Sequence, residues 1–173
     1  MNGEPTVLVV MGVSGVGKTT LAKAIAERLG WTFKEGDELH PAANIAKMKA
    51  GIPLTDADRA PWLDAIGGWI DGQFGAGRSG VITCSALKRA YRDRLVAGRP
   101  RVIFVFDQLG QEAAAARIAG RKGHFMPPSL LASQFADLEP PGPDEPVIAV
   151  DGAQPIPAQV EAVVTYLATT SAT

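Results

Sequence analysis

Short apolar runs alternate with amphipathic segments along this chain, and the alternation predicts its secondary structure. The first run, Thr6–Met11, is almost continuously apolar and rich in valine, which is typical of a strand buried on both faces of a parallel sheet. Leu21, Ile25 and Leu29 then recur every four residues and Gly30 follows them, which predicts an amphipathic helix that ends at a glycine. Further strands are predicted at residues 31–35, 80–85, 101–107 and 146–151.

Helical patterns fall between these predicted strands. The longest begins near Asp56 and carries Trp62, Ile66, Trp69 and Ile70 on one stripe, which is more typical of a helix that packs on the core than of a stacking platform. Further helices are predicted near Lys88–Val96, Gln111–Ala119 and Pro157–Leu167.

The alternation of strands and helices predicts a single α/β domain over residues 1–173, with a five-stranded parallel sheet between two layers of helices. Two polar segments, 36–56 and 120–146, interrupt the alternation and are predicted to be irregular. Insertions of this kind in an α/β fold usually carry the specificity for the ligand.

The composition is that of a folded domain, with 46% hydrophobic and 20% charged residues. The formal net charge is −1, so no global basic field attracts nucleic acid. No apolar run reaches membrane-spanning length and no secretory signal opens the sequence, so we expect a cytoplasmic protein without a membrane partner. The one cysteine, Cys84, lies in an apolar run and is expected to be a buried, unreactive thiol.

A glycine-rich segment directly after the first predicted strand carries the strongest chemical signal. It fits the pattern G-x-x-x-x-G-K-[ST] at every fixed position, and it lies between a strand and a helix, as a phosphate-binding loop requires. The glycines let backbone N–H groups surround the phosphates, the lysine reaches the outer phosphates, and the threonine hydroxyl can bind Mg²⁺. The predicted phosphate-binding residues are Gly12, Val13, Ser14, Gly15, Val16, Gly17, Lys18 and Thr19.

An acidic pair follows the second predicted strand. Glu35 and Asp37 are two residues apart, so both side chains point the same way while the chain is extended. Ligands of parallel sheets bind beyond the carboxyl ends of the strands. We therefore expect Glu35 near Mg²⁺, and Asp37 to accept the proton of an attacking hydroxyl. The alternative is an acidic turn in solvent.

Basic residues suggest a lid. Arg117, Arg121 and Lys122 form a basic cluster at the start of the polar segment 120–146, and His124 follows them; such a cluster can neutralise phosphate charge when a lid closes. The alternative is a helix end enriched in cations by its dipole. Arg59 lies in the first turn of a predicted helix, where a cation opposes the dipole. It either binds a substrate carboxylate or pairs with a neighbouring aspartate.

A run of six basic residues at 87–101 raises the alternative of nucleic-acid binding. Tyr91, Asp93, Leu95 and Val96 are interleaved with them. This pattern is typical of an amphipathic helix with a solvated basic face, so we expect no nucleic-acid partner.

Several segments together resemble one family. The loop MGVSGVGKTT (11–20) is followed by GDELHPAANIAKMKAGIPLTDADRAPWL (36–63), CSALKRAYRDRL (84–95), RKGHFMPPSLLASQF (121–135) and DLEPP (137–141). In these segments and their order the chain resembles the gluconokinase family, small P-loop sugar-acid kinases related in fold to shikimate and adenylate kinases. The resemblance covers most of the chain.

The resemblance implies ATP-dependent phosphorylation of D-gluconate to 6-phospho-D-gluconate with Mg²⁺, by a homodimer. It implies an acceptor-binding insertion at 36–56 and a lid at 117–138. Family members commonly have aspartate where this chain has Glu35, whose longer side chain suits a metal contact through water. The resemblance implies a catalytic role for Lys18, Asp37 and Arg121, ATP binding by Arg117 and Arg121, and acceptor binding by Asp37, His40, Arg59, Ser85, Lys88, His124 and Gln134.

Two alternatives remain at this point. One is a kinase of the same fold for another small acceptor, such as shikimate or a nucleoside monophosphate. The other is a regulator that binds ATP without turning it over. His40, directly before Pro41, also has a simpler interpretation, since it can merely shape that turn.

Overall fold

The structure is a computed structural model, and it describes residues 4–13, 17–119 and 128–171. Within these residues one sheet holds five strands, which are β1 (Val7–Met11), β2 (Thr32–Lys34), β3 (Gly80–Thr83), β4 (Val102–Gln108) and β5 (Val147–Asp151). Their order is β2-β3-β1-β4-β5 and every neighbouring pair is parallel. The predicted five-stranded parallel sheet is therefore confirmed, with strand ends that differ by at most two residues.

Helices connect the strands. They are α1 (Lys18–Leu29), α2 (Ala42–Lys49), α3 (Asp56–Gly75), α4 (Arg89–Val96), α5 (Gln111–Ala119), α6 (Pro128–Asp137) and α7 (Ile156–Ser171). A 3₁₀ turn at Gly36–Leu39 follows β2. Among the described helices, none combines the length and the apolar character needed to cross a bilayer.

The core has two apolar layers, one on each face of the sheet. Val9 of β1 packs with Trp62 and Ile66 of α3 in one layer, whereas Val10 packs with Leu21 of α1 in the other. Successive side chains of a strand point to opposite faces, so a central strand covered on both sides must be apolar throughout, as β1 is. The three-layer arrangement and the core role of the α3 stripe are thereby confirmed.

Two segments differ from the prediction of irregular structure. Residues 36–56 contain α2 and residues 120–146 contain α6. The single buried residue of α2 is the polar Asn44, so this helix has no apolar stripe for a periodicity argument to detect. In α6, Leu131 and Phe135 lie four residues apart and pack in a small apolar cluster beside the phosphate loop.

The basic stretch at 87–101 is neutralised within the fold. Each of its six cations faces a carboxylate within 4.0 Å. The prediction of a solvated basic face is wrong for Arg92, whose side chain is 1% exposed and pairs with the buried Glu145 at 2.7 Å. Arg92 also donates to the carbonyls of Ala86, Leu87 and Glu139, which satisfies its buried guanidinium.

Candidate active site

The loop after β1 leads directly into α1. Gly12 and Gly17 have φ angles of 143° and 104°, a backbone region that favours glycine. The Gly12 N–H donates to the carbonyl of Ser85 at 3.2 Å, which joins the loop to the segment after β3. Gly17 caps α1 without a side-chain hydrogen bond. The N-terminal N–H groups of α1 therefore keep the arrangement that binds anions at helix N-termini.

Lys18 lies half-buried at the start of α1. Its ammonium donates to the carbonyl of Val13, a residue of the same loop, at 3.0 Å. Burial lowers the pKa of Lys18, while the nearby carboxylates of Asp37, Asp107 and Glu35 oppose that shift. The structure thus gathers three acidic residues around the lysine of the loop.

Arg117 of α5 reaches the same loop. A Cβ atom on Gly17 would lie 3.6 Å from Nη1 of Arg117, so the guanidinium lies beside the last glycine of the loop. Its Nη2 donates to the carbonyl of Gly152 at 3.0 Å. Arg117 therefore lies between the phosphate loop and the segment that follows β5.

Glu35 joins α1 to β3. Its two carboxylate oxygens accept hydrogen bonds from the hydroxyls of Thr19 and Thr83. Thr83 also accepts from the N–H of Gly36 at 2.9 Å. Thr19 of the loop and Glu35, the predicted acidic residue, are thus in direct contact. Thr83 is not among the residues predicted from the sequence. The feature that could have found it is a polar side chain at the end of a buried strand.

Asp37 is not in the extended conformation that the sequence analysis assumed. The chain turns at Gly36, which is so close to β3 that an added Cβ atom would lie 1.7 Å from the carbonyl oxygen of Thr83, and Asp37 is part of the 3₁₀ turn. Its side chain is 77% exposed. Partial desolvation raises the pKa of Asp37, Lys18 lowers it and Glu35 raises it further.

Arg59 is buried near the start of α3, with 8% of its surface exposed. Its Nη1 donates to the hydroxyl of Tyr91 at 2.9 Å and lies 3.6 Å from a carboxylate oxygen of Asp137, at the end of α6. Tyr91 donates in turn to Asp56, which also accepts from Lys88 at 3.1 Å. Arg59 therefore does not form the direct surface pair with Asp56 that the sequence left open; the buried Tyr91 hydroxyl lies between Arg59 and the exposed Asp56.

His40 is buried and packs on the indole of Trp62, with ring centroids 4.1 Å apart. Ser85 is half-buried next to the loop, and Gln134 is half-buried on α6. The predicted site residues Ser14, Gly15, Val16, Arg121 and His124, with the lid residue Lys122, lie outside the described residues.

A cavity of about 470 Å³ lies beside the loop, at the ends of β4 and β5. Val13, Phe106, Asp107 and Phe135 are part of its lining. Asp107 is 2% exposed, and neither carboxylate oxygen has a hydrogen-bond partner among the described residues. Burial raises the pKa of Asp107 to about 6, although Lys18 lowers it. Asp107 is not among the residues predicted from the sequence, although an acidic residue at the end of a buried strand is a signal that could have found it.

The described residues contain no group of three or more His, Cys, Asp or Glu side chains placed to hold a metal ion. Mg²⁺ bound with a nucleotide does not need such a group, because it keeps several waters and takes its other oxygens from one or two protein groups and the phosphates. Thr19 and Glu35, in contact at the start of α1, supply hydroxyl and carboxylate oxygens of the kind that Mg²⁺ prefers.

Comparisons with known proteins agree with this geometry. A sequence family described as an AAA domain matches residues 7–141, a range that includes the phosphate loop, the acidic turn and the whole predicted lid region, 117–138. A gluconokinase of Gluconobacter oxydans strain 621H is 56% identical over 152 residues, which cover 88% of this chain and 85% of the relative.

Two solved structures are also similar over nearly the whole chain. A sugar kinase from Janibacter sp. HTCC2649, in an unliganded structure, has a TM-score of 0.90 at 49% identity and the match covers 94% of both chains. A gluconokinase from Sinorhizobium meliloti 1021 has a TM-score of 0.86 at 47% identity, covering 96% of this chain and 93% of that one.

Proposed function

The chain belongs to the gluconokinase family, and on that premise we propose that it transfers the γ-phosphate of ATP to a hydroxyl of D-gluconate. The products are 6-phospho-D-gluconate and ADP. One observation carries the proposal beyond the family relationship: the phosphate loop, an accessible carboxylate and a buried arginine lie at one edge of the sheet, as transfer from a nucleotide to an acidic acceptor requires.

The phosphate side of the site is built from α1 and α5. Lys18 exchanges its bond to the Val13 carbonyl for the outer phosphates, where its charge counters the charge on the transferred group. Arg117, beside Gly17, adds a second cation, and Arg121 is assigned to the lid on the family resemblance. Together these cations stabilise the charge that is spread over the phosphoryl oxygens.

Mg²⁺ is proposed to bind at Thr19, with Glu35 holding one of its waters. When bound there with the nucleotide, the ion would neutralise part of the phosphate charge. Because Glu35 also accepts from Thr83, its carboxylate is held in one orientation toward Thr19.

The acceptor side is built from the 3₁₀ turn and α3. Asp37 is proposed to take the proton of the attacking hydroxyl, since a carboxylate with a raised pKa is a better base while it stays ionised. Arg59 is proposed to bind the carboxylate of gluconate. The carboxylate of Asp137, 3.6 Å from Arg59, is the same chemical group, so the substrate can replace it.

Four finer assignments complete the proposal. His40, Ser85, Lys88, His124 and Gln134 line or close the acceptor pocket. Residues 1–173 form one domain, in which 36–56 bind the acceptor and 117–138 form the lid. The enzyme acts as a homodimer. It works in the cytoplasm.

The test is a coupled assay of ADP release with Mg²⁺ and ATP. D-gluconate is compared with shikimate, glycerate, nucleoside monophosphates and no acceptor. We expect ADP release that depends on gluconate. Release with a different acceptor alone would preserve the phosphoryl-transfer chemistry and reject the substrate. ATP binding by folded protein without acceptor-dependent release would identify a regulator instead.

A further inference from the structure

Asn44 of α2 is a buried polar residue with no role in the proposed function so far. Its side-chain nitrogen Nδ2 donates to the backbone carbonyl of Asp58, in α3, at 2.8 Å. A carbonyl oxygen carries no hydrogen, so this bond identifies the atom that faces it as the amide nitrogen. Asn44 is 3% exposed, so its orientation is set by protein groups rather than by water.

The same nitrogen lies 3.2 Å from Nδ1 of His40. An amide nitrogen carries two hydrogens and no acceptor, so Nδ1 of His40 must accept the second one. The proton of a neutral imidazole then lies on Nε2. Burial lowers the pKa of His40 to about 4, and the positive charge of Arg59 adds to this shift, so the ring stays neutral near pH 7.

The plane of the His40 ring is also fixed. It stacks on Trp62 with an interplanar angle of 15°, and the indole N–H of Trp62 donates to the carbonyl of Gly36 at 2.9 Å. In this orientation Nε2 lies 4.0 Å from a carboxylate oxygen of Asp37. That separation is too long for a direct hydrogen bond and is closed by a small movement or by one bridging water.

We propose that Asn44 and His40 are a positioning pair for Asp37: Asn44 keeps the imidazole proton on Nε2, and the Nε2–H group orients the Asp37 carboxylate toward the acceptor hydroxyl. The inference rests on the proposed function, in which Asp37 is the base. Asn44 touches neither substrate nor Asp37 and acts through His40. Its place on α2 makes the acceptor-binding insertion part of the catalytic arrangement.

The first test is spectroscopic and independent of activity. The chain has two histidines, His40 and His124, so the imidazole ¹⁵N signals of the intact protein are assigned with a His40→Gln variant. We expect the signals of a neutral ring protonated on Nε2, and a mixture of tautomers in Asn44→Leu. The matched control is Lys47→Ala, which removes the other contact of α2 with Asp58, at 2.7 Å, and should leave the tautomer unchanged.

The second test separates positioning from packing. The amide nitrogen of glutamine lies near the place of Nε2, whereas that of asparagine lies near Nδ1, so His40→Gln keeps the donor toward Asp37 and His40→Asn loses it. We expect His40→Asn to lower kcat with gluconate about tenfold at nearly constant KM for ATP, because misplacement of a reacting group is costly. His40→Gln should stay within about threefold and Asn44→Leu should lie between them.

The outcomes distinguish the inference from the function on which it rests. A ring protonated on Nδ1 in the unaltered protein, or equal losses in folded His40→Gln and His40→Asn, overturns the positioning pair. An unaltered protein that releases no ADP with gluconate overturns the proposed function and with it the role of Asp37, whatever the tautomer of His40.

Discussion

Asp37 and Asp107 both face Lys18, yet their surroundings differ. Asp37 has 77% of its side chain exposed, whereas Asp107 is 2% exposed and its carboxylate has no hydrogen-bond partner among the described residues. An ionised group can exchange protons with an acceptor only where the acceptor can reach it. At the scale of single residues, we therefore expect replacement of Asp37 to affect proton transfer, and replacement of Asp107 to affect the stability of the fold.

Asp37→Asn should abolish most of the turnover with gluconate. A general base contributes about 10²- to 10⁴-fold to the rate, and asparagine cannot take up the proton. ATP binding should be retained because the phosphate loop is unchanged. The measurements are kcat with gluconate and the ATP dissociation constant. Turnover close to that of the unaltered protein would remove Asp37 from the role of base.

Asp107→Asn should change how stability depends on pH. The carboxyl has a pKa of about 6 in the folded chain against an ordinary value of 3.8, so the folded state binds the proton more tightly. The free energy of unfolding from this group is therefore highest at low pH and falls by about 3 kcal/mol in total as the pH rises from about 3 to about 7. Asparagine has no such loss.

Urea unfolding of both proteins between about pH 4.5 and about pH 7.5 tests this. The difference in free energy of unfolding between Asp107→Asn and the unaltered chain should increase in favour of the variant as the pH rises. Asp93→Asn, an exposed position on α4, is the matched control and should shift stability by less than about 0.5 kcal/mol. A constant difference between Asp107→Asn and the unaltered chain would mean that Asp107 does not titrate in this range.

Helix α3 carries a residue of the proposed site together with positions that cost stability. It begins with a capping box between Thr55 and Asp58, carries Arg59 in its first turn, and packs Trp62 against His40. Its later half contains Gly68 and Gly72, which are exposed and have open space where a Cβ atom would lie. Glycine in a helix interior costs about 0.8–1 kcal/mol relative to alanine.

Gly68→Ala and Gly72→Ala should each stabilise the protein by about 0.5–1 kcal/mol without altering turnover. Thermal unfolding should show an increase in Tm of about 1–4 °C per substitution. Gly36→Ala provides the opposite case, because its Cβ atom would lie 1.7 Å from the Thr83 carbonyl oxygen. We expect Gly36→Ala to be destabilised. A stabilised Gly36→Ala, or destabilised Gly68→Ala and Gly72→Ala, would contradict the prediction that the space around each glycine decides the effect on stability.

The elements also show what the sequence could predict. Strands β1 and β4 are buried at nearly every position, so apolar runs located them. Helix α2 was missed because the residue that it buries is Asn44, and a polar contact leaves no trace in hydrophobic periodicity. Thr83 was missed for a related reason. Its contacts are with Glu35 and Gly36, which are far away in sequence, and a single sequence does not show which distant residues meet in the fold.

At the scale of the whole molecule, the phosphate loop of the free protein holds its own lysine. The ammonium of Lys18 donates to the carbonyl of Val13, at the place where the phosphate loop meets the N-terminus of α1. ATP with Mg²⁺ should therefore bind the folded state and stabilise it, by about 2.7 kcal/mol at a hundredfold excess over the dissociation constant.

Lys18→Ala should lose most of this stabilisation and lower the transfer rate by orders of magnitude. The measurement is the change in Tm with increasing ATP. Lys23→Ala removes an exposed lysine from the same helix. Its Tm should rise with ATP as much as that of the unaltered protein. An unimpaired transfer rate in Lys18→Ala would reject the assignment of the loop.

The chain's one cysteine has a practical consequence. Cys84 is 1% exposed, and burial raises the pKa of its thiol to about 12, as expected for an unreactive core residue. Maleimide dyes attack thiolates that they can reach, so the native protein should remain unlabelled. A cysteine introduced at the exposed Ala132 of α6 would then carry a fluorophore alone, and the arrival of each substrate could be followed as a change in light emission.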